Sequence, residues 1–157
     1  MPHILGLLDE IKWINARSSV SDLAVEVHLN SGGGIGTETY FYAGSNISKK
    51  FAQAIQNKLV QTIKTKDRGV KPDTATRFGR LGFIRDTKPL ATLVEAFFIQ
   101  ENISTKEAGR GIARGLIAYR GLKLKSVPLK KISFTVPNNP NIIKKIKDFI
   151  YNLIHKK

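Results

Sequence analysis

A chain of 157 residues, 41% hydrophobic and without cysteine, suits one compact domain with a small appendage and excludes both a disulfide framework and a thiolate metal site. No apolar run approaches the ~20 residues a membrane span needs, and Met1–Glu10 lacks a basic start and is interrupted by Asp9 and Glu10, so the expectation is a soluble protein, cytoplasmic at synthesis, without a secretory signal. The formal charge of +14 is uneven, with +6 on residues 1–121 and +8 on residues 122–157; such a field favours polyanions without choosing among nucleic acid, anionic lipid and cell-wall polymers.

In chain order, Leu7, Leu8, Ile11 and Ile14 recur at helical spacing, with Trp13 to one side. Leu23–Asn30 then alternates: Leu23, Val25, Val27 and Leu29 face one way, and Ala24, Glu26, His28 and Asn30 the other, as a half-buried strand requires. Gly32–Gly36 is a turn and Thr37–Tyr42 a second strand. Ser45-Asn46 caps a helix with the stripe Phe51, Ile55, Leu59 and Ile63. Residues 65–80 read as a polar, basic connection, and Leu81–Arg85 as a short strand. After Pro89, the almost wholly apolar Leu90–Ile99 predicts an interior strand covered on both faces. Ser104-Thr-Lys-Glu107 is a capping box opening a helix through about Tyr119.

Strands alternating with helices predict an α/β fold with a mixed, mainly parallel sheet flanked by helices over residues 1–121. From Leu122 the pattern changes. Ile132, Phe134 and Val136 alternate, and Ile142, Ile146, Phe149, Ile150 and Leu153 form one helical stripe beside Lys144, Lys145 and Lys147. Residues 122–157 are therefore expected to form a basic strand-helix appendage. Its lysines either contact a polyanion or form the solvated face of a packed helix.

Glu95 is the most informative single residue. It interrupts a segment that otherwise belongs in a core, and an unpaired buried carboxylate is costly, so it needs a cation, a metal or a raised pKa. A structural salt bridge to an arginine is the alternative. His28 lies on the polar face of its strand near a glycine turn, where a neutral imidazole could bind zinc or simply be hydrogen-bonded. Glu26 shares that face, as alternation alone would place it, and carries no catalytic assignment. Gly32–Gly36 is not a phosphate loop, because a strand follows and no Gly-Lys-Ser/Thr is present. Gly109, Gly111 and Gly115 fit close helix packing. No Gly-x-Ser-x-Gly elbow appears, and His3 and His155 sit near the termini.

Four stretches, in order, resemble the zinc-dependent N-acetylmuramoyl-L-alanine amidases of the amidase-3 type, particularly phage endolysins. Asp22–Asn30 is similar to that family's strand ending in a His-x-Asn ligand motif. Gly36–Tyr42 looks like its Gly-x-Glu-x-x-Tyr-Tyr strand, and Arg68-Gly-Val-Lys71 resembles its Arg-Gly-x-Lys signature. Pro89–Phe98 is similar to the Pro-x-x-Leu-x-Glu-x-x-Phe strand bearing the catalytic glutamate.

The resemblance implies His28 as a Zn2+ ligand and Glu95 as general acid/base. The metal polarises the carbonyl and activates water, while the glutamate carries the proton to the departing nitrogen. The substrate implied is bacterial peptidoglycan, cut between N-acetylmuramic acid and L-alanine by a lysin released to the wall at lysis. The family's Asp-x-Gly-His strand and its following glutamate, which supply the first histidine and the acidic ligand, have no counterpart in Met1–Ser21. Either a second chain supplies those strands and ligands, or this is a truncated or remodelled product. Two alternatives follow: a non-catalytic wall-binding or regulatory form, and a basic nucleic-acid-binding module. The latter is disfavoured by lysines without interleaved aromatics. The central spatial expectation is that His28 and Glu95 converge.

Overall fold

The computed structural model describes residues 6–122. The expected strand-helix appendage beyond Leu122, and His3 and His155, lie outside the described residues. Element order is α1 (Leu7–Arg17), β1 (Leu23–Asn30), β2 (Thr37–Phe41), α2 (Asn46–Ile63), β3 (Asp67–Pro72), a 3-10 turn (Asp73–Ala75), α3 (Gly82–Asp86), β4 (Leu90–Phe98) and α4 (Thr105–Tyr119).

The four strands form one sheet in the order β1-β4-β2-β3. β1 runs parallel to β4 and β2 parallel to β3, while β2 and β4 are antiparallel. The mixed, mainly parallel α/β sheet expected from the sequence is therefore present. β4, the most apolar segment, sits between β1 and β2 and is buried along nearly its whole length. An interior strand has no solvated face, which is why its sequence does not alternate.

One sheet face packs on α2 and α4. Phe51, Ile55 and Leu59 from α2 and Ala108 and Ile112 from α4 close over Val94, Ala96 and Phe97. Ala96 and Phe97 are neighbours in sequence yet reach the same core, because the register slips between His28 and Asn30 and gives β4 one extra residue. The helices approach closely through glycine: a Cβ on Gly115 would lie 2.4 Å from the Ile55 Cα, and one on Gly111 2.8 Å from the Leu59 Cα. Close packing is thus the reason for these glycines.

The opposite face is covered only in part. Phe83 and Ile84 from α3 pack on Ala91 and Leu93, with Ile14 of α1 alongside. Residues 81–85 were expected to form a strand; they form α3 instead. Adjacent Phe83 and Ile84 both bury against the sheet, which one helical turn permits and a strand's alternation forbids. The supposed connection at 65–80 contains β3, an edge strand paired only with β2, whose half-exposed position tolerates polar residues. The cap at Ser45 is as expected, its side chain accepting from the Ser48 N–H. At Ser104 half of the capping box forms: Ser104 accepts from Glu107 N–H, but the Glu107 carboxylate turns to Arg110.

Candidate active site

The partly covered face carries the polar row of the sheet. In the parallel β1–β4 register His28 is opposite Glu95, and in the antiparallel β2–β4 register Glu38 is opposite Glu95. Cross-strand partners project from the same face, so the three side chains lie side by side across three strands. The alternation that sends Val25 and Val94 to the helical core therefore sends His28 and Glu95 to this side.

His28 lies between two carboxylates. Its Nε2 is 3.2 Å from Glu26 Oε1 and its Nδ1 is 3.9 Å from Glu95 Oε1. Glu95 Oε2 is buried without a hydrogen-bond partner among the described residues. Burial pushes the Glu95 carboxyl above the ordinary carboxylate range; nearby Glu38 and Glu26 add to this, and His28 opposes it. Glu26 is raised by burial too, against the pull of His28. The arginine bridge considered for Glu95 does not form: the nearby guanidinium, Arg68, pairs with Glu38.

Glu38 is the residue the sequence reading passed over. It is only 3% exposed and is fully satisfied. Its Oε2 accepts from Arg68 Nε at 2.7 Å and Lys71 Nζ at 2.6 Å, and its Oε1 from the Tyr40 hydroxyl at 2.9 Å and Asn30 Nδ2 at 3.3 Å. Burial alone would raise its pKa, but the bonds from Lys71, Arg68 and Tyr40 outweigh it and hold the group below the usual range. Tyr40 is driven well above its ordinary value by burial and by its bond to Glu38, so its hydroxyl remains a donor. A glutamate in a strand otherwise buried, followed by Arg68 and Lys71 three residues apart, was the available signal.

The row opens into a cleft of about 490 Å³, whose walls include His28, Tyr40, Arg77, Phe78, Leu81 and Glu95. A carboxyl of raised proton affinity at such a wall can take and return a proton. A catalytic zinc is a different matter. It needs three protein ligands and an open position. The imidazole of His28 is available, but among the described residues no group of three or more His, Cys, Asp or Glu could hold a metal. The described residues alone do not fit a catalytic zinc.

The Amidase_3 family, N-acetylmuramoyl-L-alanine amidase, matches residues 7–111. Protein YqiI of Bacillus subtilis is 43% identical over 74 residues, covering 44% of this chain and 34% of that protein. The N-acetylmuramoyl-L-alanine amidase LytC of the same organism is 33% identical over 119 residues, covering 66% of this chain and 23% of LytC. The chain thus spans about a third or less of the length of these relatives. Among solved structures, the N-acetylmuramoyl-L-alanine amidase of Clostridium difficile 630 superimposes with a TM-score of 0.63 at 25% identity, covering 76% of this chain and 68% of that one. With two thirds of its length in the family's pattern and the same fold, this chain belongs to the Amidase_3 family of N-acetylmuramoyl-L-alanine amidases.

Proposed function

We propose that this chain is the part of a peptidoglycan amidase that supplies the proton-carrying carboxylate, acting on the amide between N-acetylmuramic acid and L-alanine of the stem peptide. The observation that carries this is Glu95: a carboxyl with an orphaned, buried oxygen and raised proton affinity, 3.9 Å from His28 at the wall of a cleft. In this reading Glu95 accepts a proton from the attacking water as the new C–O bond forms. It returns that proton to the departing nitrogen as the C–N bond breaks. Its raised affinity suits both halves of the exchange.

His28 is the ligand this chain offers to the zinc on which the family's chemistry depends. The remaining donors come from polypeptide beyond the described residues, in the same protein or in a second chain. Residues 1–121 would then be the amidase portion, and the lysines of residues 122–157 would contact anionic wall polymers. Among the described residues no helix is long and apolar enough to cross a membrane. A phage-type lysin, made in the cytoplasm and reaching the wall at lysis, fits these properties.

A second reading is favoured by the missing three-donor group: a non-catalytic wall-binding or regulatory form. Amide-bond release from purified peptidoglycan separates the two. The chain is incubated with zinc, alone and with a polypeptide carrying the N-terminal part of the family's domain. New L-alanine amino termini support the hydrolase. Their absence in both mixtures, where a full-length family member releases them, leaves the binding form.

A further inference from the structure

The walls of the cleft include two residues that neither the proton chemistry nor the fold uses. Thr76–Gly79 is a tight turn, closed by the Gly79 N–H donating to the Thr76 carbonyl at 3.0 Å, with Gly79 at φ +69°. Its two central residues are Arg77 and Phe78, and both line the cleft that holds His28 and Glu95. Phe78 is 69% exposed, and the Arg77 guanidinium lies over its ring at 4.8 Å. Phe78 therefore lies outside the hydrophobic core.

The turn stands on a fixed base. On one side Asp73, fully buried, accepts from Arg85 Nε at 2.5 Å and Nη2 at 3.1 Å and from Ala43 N–H at 3.0 Å. On the other, Arg80 pairs with Asp86. The remaining arginines are occupied in the same way. Arg68 and Arg110 pair with glutamates, and Arg17, Arg114 and Arg120 donate to carbonyl or hydroxyl oxygens. Among the described residues, Arg77 alone of the arginines has no hydrogen-bond acceptor. A planar guanidinium lying over an aromatic ring, its N–H groups without a protein acceptor, can take a carboxylate through its fork of donors.

We propose that Arg77 and Phe78 form a recognition subsite for an acidic glycopeptide, with Arg77 taking a free carboxylate and Phe78 giving the apolar platform beneath it. Resting on the amidase reading above, the ligand is the muramyl stem peptide, and the carboxylate is the α-carboxyl of its second residue. That group lies two residues from the scissile amide, within ~7 Å along an extended chain. The cleft volume falls in the ~300–1,000 Å³ range of ordinary small-ligand sites. The subsite thus distinguishes walls whose second residue is acidic from those in which it is amidated.

Binding needs no turnover, so the test uses this chain as it is. Two N-acetylmuramyl tripeptides, differing only in a free or amidated α-carboxyl on the second residue, are titrated by calorimetry at low salt. The wild-type chain prefers the free acid by about five- to tenfold, the scale of a partly exposed charge-assisted pair. Arg77→Ala abolishes the preference, and Phe78→Ala weakens both ligands while keeping it. Both positions are exposed, so neither change threatens folding. Equal binding of the two ligands by the wild type, a preference that survives Arg77→Ala, or no binding to either at millimolar concentration overturns the subsite. A chain that shows the preference but exposes no new L-alanine amino termini even when completed overturns the hydrolase reading and leaves the subsite standing.

Discussion

His28 and Glu95 are direct cross-strand neighbours on the parallel pair β1 and β4, with Nδ1 and Oε1 3.9 Å apart. Their meeting is a consequence of register rather than of flexible reach. A slip of one residue would send either side chain to the helical face. The core contacts of Val25 and Val94 on that face are therefore what hold the polar pair in place.

Glu95→Gln should remove amide cleavage from any active assembly by ~10²–10⁴-fold, the usual worth of a positioned general acid/base. The same change should stabilise the fold at neutral pH. Because the folded pKa is raised, the protonated carboxyl favours folding at low pH, and that contribution is lost as pH rises through the folded pKa. Urea midpoints at pH 7 and pH 4 check this: a gain at the higher pH that shrinks at the lower. Undiminished cleavage by the variant would remove Glu95 from its role.

Metal retention follows from the donor set. Dialysed against metal-free buffer after zinc loading, the chain alone should keep well under one zinc per molecule, measured by elemental analysis. His28→Ala should lower even that residue. One full equivalent held through repeated washes would mean that the described donors suffice after all.

Glu38→Gln leaves Arg68 and Lys71 facing a neutral amide in a buried setting. Breaking a buried charge cluster is costly, but both cations are about a third exposed, so the loss should be ~2 kcal/mol rather than the larger figures of fully buried pairs. Denaturant unfolding measures it. A change within a few tenths of a kcal/mol would show that the network is held by solvent as well as by protein.

Acid should unfold the domain through Asp73 and Glu38. Burial works against both charges, but Arg85 and the Ala43 and Leu81 N–H groups hold Asp73 low, as Lys71, Arg68 and Tyr40 hold Glu38. A depressed folded pKa gives stability that is present above the unfolded carboxylate value and lost as pH falls through the folded one. Thermal midpoints should therefore drop below about pH 4, near the unfolded carboxylate values. Asp73→Asn should be less stable at neutral pH and show a shallower fall.

Much of this was legible in residue order. The interior character of β4, the alternation of β1 and the stripe Phe51, Ile55, Leu59 each followed from a periodicity that packing enforces. So did the convergence of His28 and Glu95, because two segments similar to one family's motifs carried their register with them. What was not legible depended on partners far along the chain. β3 is polar because it is an edge strand whose Arg68 and Lys71 reach back to Glu38, some thirty positions earlier. α3 is too short for any period to emerge. Arg77 and Phe78 look like ordinary loop residues until the fold turns them toward Glu95.

The position of β1 has one last implication. Among the described residues it is one of the sheet's two edge strands, the one beside β4, with Val27 and Leu29 about half exposed at 51% and 45%. A polypeptide that zipped onto this rim would lie one strand spacing, ~4.8 Å, from the backbone of His28. It would cover the greasy margin and bring new donors to the imidazole in the same act. On the proposed reading, pairing at this rim and completion of the site would be one event.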